Sequence, residues 1–303
     1  MKNISKLFAV IITVMLVITG CSGLDTPGEE GQEILQAGDV LDSTGEEDTV
    51  LVDARSADDY EESHVEGAVN IGMNDVTSIG PFPNMLAPGD EVGEVLGEKG
   101  IEKDSTVIVY DDNDNMDAAR FWWTLKIYGH EDVRVVSGGW KAMQKADADE
   151  TDAVPEVEAV EYEVDDKNED IIATKEEVKK QVDNPSDDVV LLDTRTSKEY
   201  NEGTIPGSVH YNYENNNFDD GTYRPVRQIH TLYKDLDITP DKTIIMYCKT
   251  SVRAAQTYVA LYNAGYRDLK IYDGAWSEWS SDDSLPVETP DGSDVEANDQ
   301  DSS

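Results

Sequence analysis

Basic residues and cysteine are what this sequence has least of. Its 303 residues include 24 Lys and Arg against 65 Asp and Glu, a formal net charge of −41. Such a balance repels nucleic acid and anionic lipid surfaces and leaves no basic stripe for either, so nucleic acid is excluded as a partner. The surplus of carboxylates fits adaptation to salt, where screening removes their mutual repulsion. Only two cysteines are present, Cys21 and Cys248, which rules out a disulfide framework. The four histidines, His64, His130, His210 and His230, are scattered and offer no ligand spacing, so no metal site is expected.

A long apolar run is missing as well. Lys2 and Lys6 precede apolar residues from Leu7 to Ile18, too few for a membrane span but enough for an export signal over residues 1–21. The end of that run, Ile18-Thr19-Gly20-Cys21, resembles the lipobox of bacterial lipoproteins, which implies that Cys21 is acylated and becomes the mature N-terminus. The expected location is extracytoplasmic, with the membrane touched only through the lipid. Residues 22–47 are rich in Gly and Glu and read as an acidic tether. With Cys21 lipidated, Cys248 is the remaining thiol, exposed to oxidation outside the cytoplasm.

The rest of the chain repeats itself. Val50-Leu51-Val52-Asp53-Ala54-Arg55 is matched by Val190-Leu191-Leu192-Asp193-Thr194-Arg195, and Gly67 by Gly207 at the same offset. Further on, Thr106 to Tyr110 mirrors Thr243 to Tyr247, and Gly138-Gly139-Trp140 mirrors Gly274-Ala275-Trp276. A duplication of about 140 residues accounts for this, a unit of domain size. Short Val- and Ile-rich runs alternate with segments of helical spacing, which predicts an α/β fold in which each unit is a parallel sheet flanked by helices. Helices are predicted over Ala118 to Tyr128 and Val252 to Ala264, stopped by Gly129 and Gly265. The units are placed at 48–146 and 171–288, with an acidic linker at 147–170 and a disordered acidic tail at 289–303.

Cys248 follows the apolar strand ending at Tyr247 and precedes the helix starting near Val252. In open parallel sheets, ligands bind at such strand-to-helix turns. The loop Cys248-Lys249-Thr250-Ser251-Val252-Arg253 is expected to wrap its amides around the sulfur at the positive end of the helix. With Lys249 and Arg253 these favour a nucleophilic thiolate and an anionic ligand. The alternative is a buried structural cysteine, against which the two nearby cations argue.

Here the sequence resembles the two-domain rhodanese family. The resemblance rests on Leu192-Asp193-Thr194-Arg195, on Gly203 to Val209, on Tyr247 to Ala254 and on Tyr272-Asp273-Gly274-Ala275-Trp276-Ser277-Glu278-Trp279. It implies two tandem domains and a catalytic C-terminal unit. The N-terminal unit lacks the nucleophile, and Asp111 stands where Cys248 would be. The implied reaction is attack of the Cys248 thiolate on the outer sulfur of thiosulfate, giving a Cys248 persulfide whose sulfur passes to cyanide or a thiol. It requires no metal or organic cofactor.

Lys249, Thr250, Ser251, Val252 and Arg253 are the expected donor-binding residues, with Arg195, Arg224 and Trp276 as further candidates and Arg227 as a distant one. Vertebrate-type members carry an arginine where this chain has Glu199, and the spacing predicts an Arg195–Glu199 ion pair instead. Mercaptopyruvate-type members have small neutral residues after the cysteine, so Lys249 favours thiosulfate over 3-mercaptopyruvate. A Cys-dependent phosphatase needs a loop one residue longer. A non-catalytic, lipid-tethered sulfur carrier needs the same loop and is the alternative from a different class.

Overall fold

The computed structural model of the chain describes residues 31–43 and 48–290. The expected signal, the Cys21 lipidation site and most of the acidic tail lie outside them. In the first unit β1 (Ile34–Leu35) and β2 (Thr49–Asp53) are followed by β3 (His64–Val65), β4 (Val69–Asn70), and a hairpin of β5 (Thr77–Ser78) and β6 (Met85–Leu86). Then come β7 (Thr106–Tyr110), β8 (Val133–Val136) and β9 (Glu150–Thr151). The second unit holds β10 (Ile172–Ala173), β11 (Val189–Asp193), β12 (Val209–His210), β13 (Thr243–Tyr247) and β14 (Leu269–Tyr272).

Each unit is a five-stranded sheet, ordered β1-β8-β7-β2-β4 in the first and β10-β14-β13-β11-β12 in the second, and every neighbouring pair is parallel. The central pairs share one register: Asp53 lies opposite Tyr110, and Asp193 opposite Tyr247. Alternate residues face opposite sides, as the pleat requires. Val52, Val107 and Val109 share one core with Leu192, Ile244 and Met246 of the other unit, whereas Ile108 and Ile245 face two separate outer clusters. Both sheets are therefore covered on both faces, which explains the uninterrupted apolar strands.

The helices after the two matching loops, Met116–Ile127 and Val252–Asn263, pack against each other where the units meet. The Trp122 ring lies 5.8 Å from that of Tyr258 and 5.4 Å from that of Tyr262, so it is an interface residue. Gly129 and Gly265 follow these helices at φ +77° and +91°, a left-handed stop that only glycine takes freely.

Two expected boundaries differ. The tether placed at 22–47 contains β1 and the helix Ala37–Ser43; Ile34 pairs with Val135 at the sheet edge, where two apolar residues found a backbone partner. The linker placed at 147–170 is extended, but it is held to the first unit. Glu150 and Thr151 pair with β3, and buried Tyr162 receives or donates a bond to His130 at 2.8 Å. Its backbone runs so close to the helix Gly89–Glu98 that a Cβ at Gly97 would meet the Val160 carbonyl at 2.4 Å.

One buried charge ties the units together. Arg120, on the first unit's interface helix, is fully buried and donates to Asp273 at the end of β14 (2.9 Å) and to the Asn84 carbonyl (2.9 Å), with Trp123 stacked 4.6 Å away. Asp273 also accepts from the amide of Leu86 at 2.8 Å. Removing one member of such a pair strands the other charge in the interior. Arg120→Ala is expected to lose about 3–5 kcal/mol of stability, read as a lowered midpoint in thermal denaturation followed by circular dichroism; an unchanged midpoint would mean that the pair does not hold the units together.

Candidate active site

Cys248 sits directly past β13, between the ends of β11 and β14, and its side chain is fully buried. The loop that follows is fastened from behind. The amide of Trp276 donates to the Cys248 carbonyl (3.0 Å), and the amide and hydroxyl of Ser277 donate to that of Lys249 (3.1 and 2.7 Å). Ser251, the N-cap of the following helix, has φ 70°, a left-handed conformation costly for a residue with a Cβ. Its hydroxyl donates to the Asp273 carbonyl at 2.5 Å and so holds the turn. With the carbonyls occupied, the amides are left over: among the described residues none of the N–H groups from Lys249 to Ala254 donates to a protein oxygen.

The first unit shows what such amides do. Asp111 occupies the matching place, and its buried carboxylate fills its own loop. Oδ1 accepts from the amides of Asn113 (3.2 Å) and Asn115 (3.1 Å), and Oδ2 from those of Asp117 (2.8 Å) and Ala118 (2.9 Å). Burial pushes its carboxyl up to about 7, against the pull of these amides. Asn115 is the counterpart of Ser251: both are left-handed N-caps, at φ 64° and 70°. The amides of Arg253 and Ala254 therefore match in sequence those that hold Asp111, and Cys248 follows its strand as Asp111 follows the matching one. An amide array at a helix N-terminus binds an anion in either case.

The charges around Cys248 differ from those expected. Arg195 does not pair with Glu199; it folds back in a fork onto Asp193 (2.6 and 2.9 Å) and donates to the Gly203 carbonyl. The Asp-x-Arg turn brings guanidinium and carboxylate together locally, and both are buried. Glu199 instead takes Arg253 in a bidentate pair at 2.5 and 2.9 Å. Hydrogen bonding to Arg253 holds the Glu199 carboxyl down to about 2. Despite the cost of burial, Glu199 and the nearby Cys248 raise the hold of Arg253 on its proton. The Tyr213 ring lies 5.8 Å from the same guanidinium, and burial pushes its phenol up to about 12.

The other predicted residues are distributed around this centre. Lys249 is exposed, with no salt bridge among the described residues; Val252 is buried. Thr250 accepts a bond from Asn84 of the first unit at 3.2 Å, so the β5–β6 hairpin touches the loop. Trp276 lies against Arg195, 4.4 Å from its guanidinium, and meets Cys248 through its backbone. Arg224 is elsewhere: it lines a cavity of about 310 Å³ with Asp114, Glu214 and Asn217, and Cys248 is not in that lining. Arg227 is exposed on the helix Val226–Lys234. Asn84, Arg120, Tyr213 and Asp273 were not predicted as site residues; Asp273 stands inside a recognised motif, whereas Asn84 carries no local signal.

Comparison with known proteins agrees with this geometry. A model of the rhodanese-like domain matches residues 36–146 and 174–282. The chain is 30% identical over 251 residues to a thiosulfate sulfurtransferase of Corynebacterium glutamicum, covering 76% of this chain and 81% of that one. It is 30% identical over 266 residues to another from Pseudomonas aeruginosa, covering 84% and 96%. Among solved structures, SseA of Escherichia coli, a 3-mercaptopyruvate sulfotransferase, shares the fold with a TM-score of 0.74 at 23% identity, over 80% of this chain and 98% of that one. The chain belongs to the rhodanese family, as a sulfurtransferase of two tandem domains.

The Ser251 turn gives a direct check on how the loop is held. Ser251→Gly loses the hydroxyl bond but relieves the strained φ, whereas Ser251→Ala loses the bond and keeps the strain. The alanine variant is expected to be less stable than the glycine variant by about 1 kcal/mol in urea denaturation; equal midpoints would show that the left-handed turn is not strained.

Proposed function

We propose that the chain moves the outer sulfur of thiosulfate to a thiol or cyanide through a persulfide on Cys248. The Cys248 thiolate attacks the outer sulfur; the sulfur–sulfur bond of the donor breaks, and sulfite leaves with the electron pair. Charge is conserved, because the persulfide keeps one negative charge and sulfite carries two. An acceptor then attacks the outer persulfide sulfur, giving thiocyanate from cyanide or a new persulfide from a thiol, and Cys248 returns as thiolate. The amides from Lys249 to Ala254 hold the negative sulfur in both states, already oriented before the reaction starts. Arg253, close enough to Cys248 for opposite charges to attract, steadies the same charge.

The observation that carries this reading is the match between Cys248 and the amide-bound carboxylate of Asp111. The name shared by the Corynebacterium and Pseudomonas relatives supports thiosulfate as donor. Lys249 beside the cysteine supports it over 3-mercaptopyruvate. The test is a single turnover: the purified protein with thiosulfate should gain one sulfur on Cys248 by mass spectrometry and then release one equivalent of thiocyanate on adding cyanide. Cys248→Ser should do neither, and a variant that retains full turnover would overturn the assignment.

We further propose that the protein acts outside the cytoplasm on a lipid anchor at Cys21, and that its acidic surface is adapted to salt. The signal-like run ending at Ile18-Thr19-Gly20-Cys21 and the net charge of −41 support this. Wild type should partition with membranes and Cys21→Ala should not incorporate labelled fatty acid; stability should rise with KCl. Labelling of the alanine variant, or stability falling with salt, would contradict the respective claim.

A further inference from the structure

The cations near Cys248 are mostly occupied. Arg195 is forked onto buried Asp193. Arg120, behind the loop, belongs to Asp273. Arg253 lies near Cys248, yet both oxygens of Glu199 lie on it at 2.5 and 2.9 Å. Lys249 remains as an exposed positive charge on the loop without a carboxylate partner among the described residues. The guanidinium best placed to receive the anionic head of a sulfur donor is thus already neutralised.

Glu199 is held there by more than Arg253. It is the third residue of the short helix Ser197–Glu202 and completes a capping box with Thr196, whose amide and hydroxyl donate to its Oε2 at 3.2 and 2.8 Å. The carboxylate therefore has a fixed position as well as a fixed charge. A donor that brings its outer sulfur to Cys248 brings its own negative head toward Arg253 and so toward Glu199. The repulsion scales with donor charge, so thiosulfate, with two negative charges, is disfavoured more than a donor with one.

Resting on sulfur transfer at Cys248, we propose that Glu199 is a specificity-determining residue that sets the preference among sulfur donors by charge: thiosulfate remains a donor, but Glu199 lowers its use relative to a singly charged organic thiosulfonate. The chemistry is balanced in the same way: the thiolate takes the outer sulfur, the donor's sulfur–sulfur bond breaks, and the sulfinate leaves with the electron pair. Glu199 acts through the charge and orientation of Arg253 and does not itself touch the reacting sulfur.

The test compares methanethiosulfonate and thiosulfate as donors, with cyanide as acceptor, in the full chain. Wild type should show the higher kcat/KM with methanethiosulfonate. Glu199→Gln, which keeps the capping box, should raise kcat/KM for thiosulfate on the order of tenfold, mainly through KM, with a change of less than about threefold for methanethiosulfonate. Glu199→Asp, which keeps the charge, should retain the wild-type ratio. A ratio that Glu199→Gln leaves unchanged, or that Glu199→Asp shifts equally, makes Glu199 a structural residue and overturns the proposal. Wild type that prefers thiosulfate overturns it too. Folded wild type that forms no persulfide with either donor removes the sulfur-transfer reading and this inference together.

Discussion

The structure depends on one arrangement: backbone amides at the start of a helix, left without backbone acceptors and gathered at the end of a central strand. Amides in that state are costly inside a protein unless something negative meets them. In the first unit the chain supplies the negative group itself, the Asp111 carboxylate. In the second unit the matching position is Cys248, the proposed carrier of the transferred sulfur. The two loops differ in that side chain and in length, since Asn115 stands four positions after Asp111 and Ser251 three after Cys248.

The scaffold around that loop comes from both halves of the duplication. Carbonyls of Cys248 and Lys249 are tied to the start of the helix Ala275–Trp279, and Ser251 to the end of β14. The Asp273 that fixes Ser251 through its carbonyl is itself fixed, through its carboxylate, by Arg120 and Leu86 of the first unit. Asn84 adds a bond to Thr250. The first unit lacks the nucleophile but has a mechanical part in the site, which gives a physical reason for the two halves to share one core.

Much of this was legible in the sequence because it is local. Apolar runs gave β2, β7, β11 and β13, and the glycines at 129 and 265 marked the helix ends. The Asp-x-Arg repeat and the Cys248 loop announced their place at strand ends. What escaped depends on contacts between distant segments. β1 has the composition of a tether, because two apolar residues among glycines and acids gain their strand only by pairing with β8. Helical spacing pairs Glu199 with Arg195, but Arg195 is captured two residues back by Asp193, and Glu199 reaches across to Arg253. Arg120 and Asn84 looked ordinary until the hairpin and the interface helix were folded against the second unit.

The most direct measurement is a crystal structure of the protein after reaction with thiosulfate. The account predicts an added sulfur on Cys248 within hydrogen-bonding distance of the amides of Ser251, Arg253 and Ala254, in the position that the Asp111 carboxylate takes in the other unit. An added sulfur turned away from those amides, or an unmodified Cys248 with sulfur carried on another residue, would contradict it.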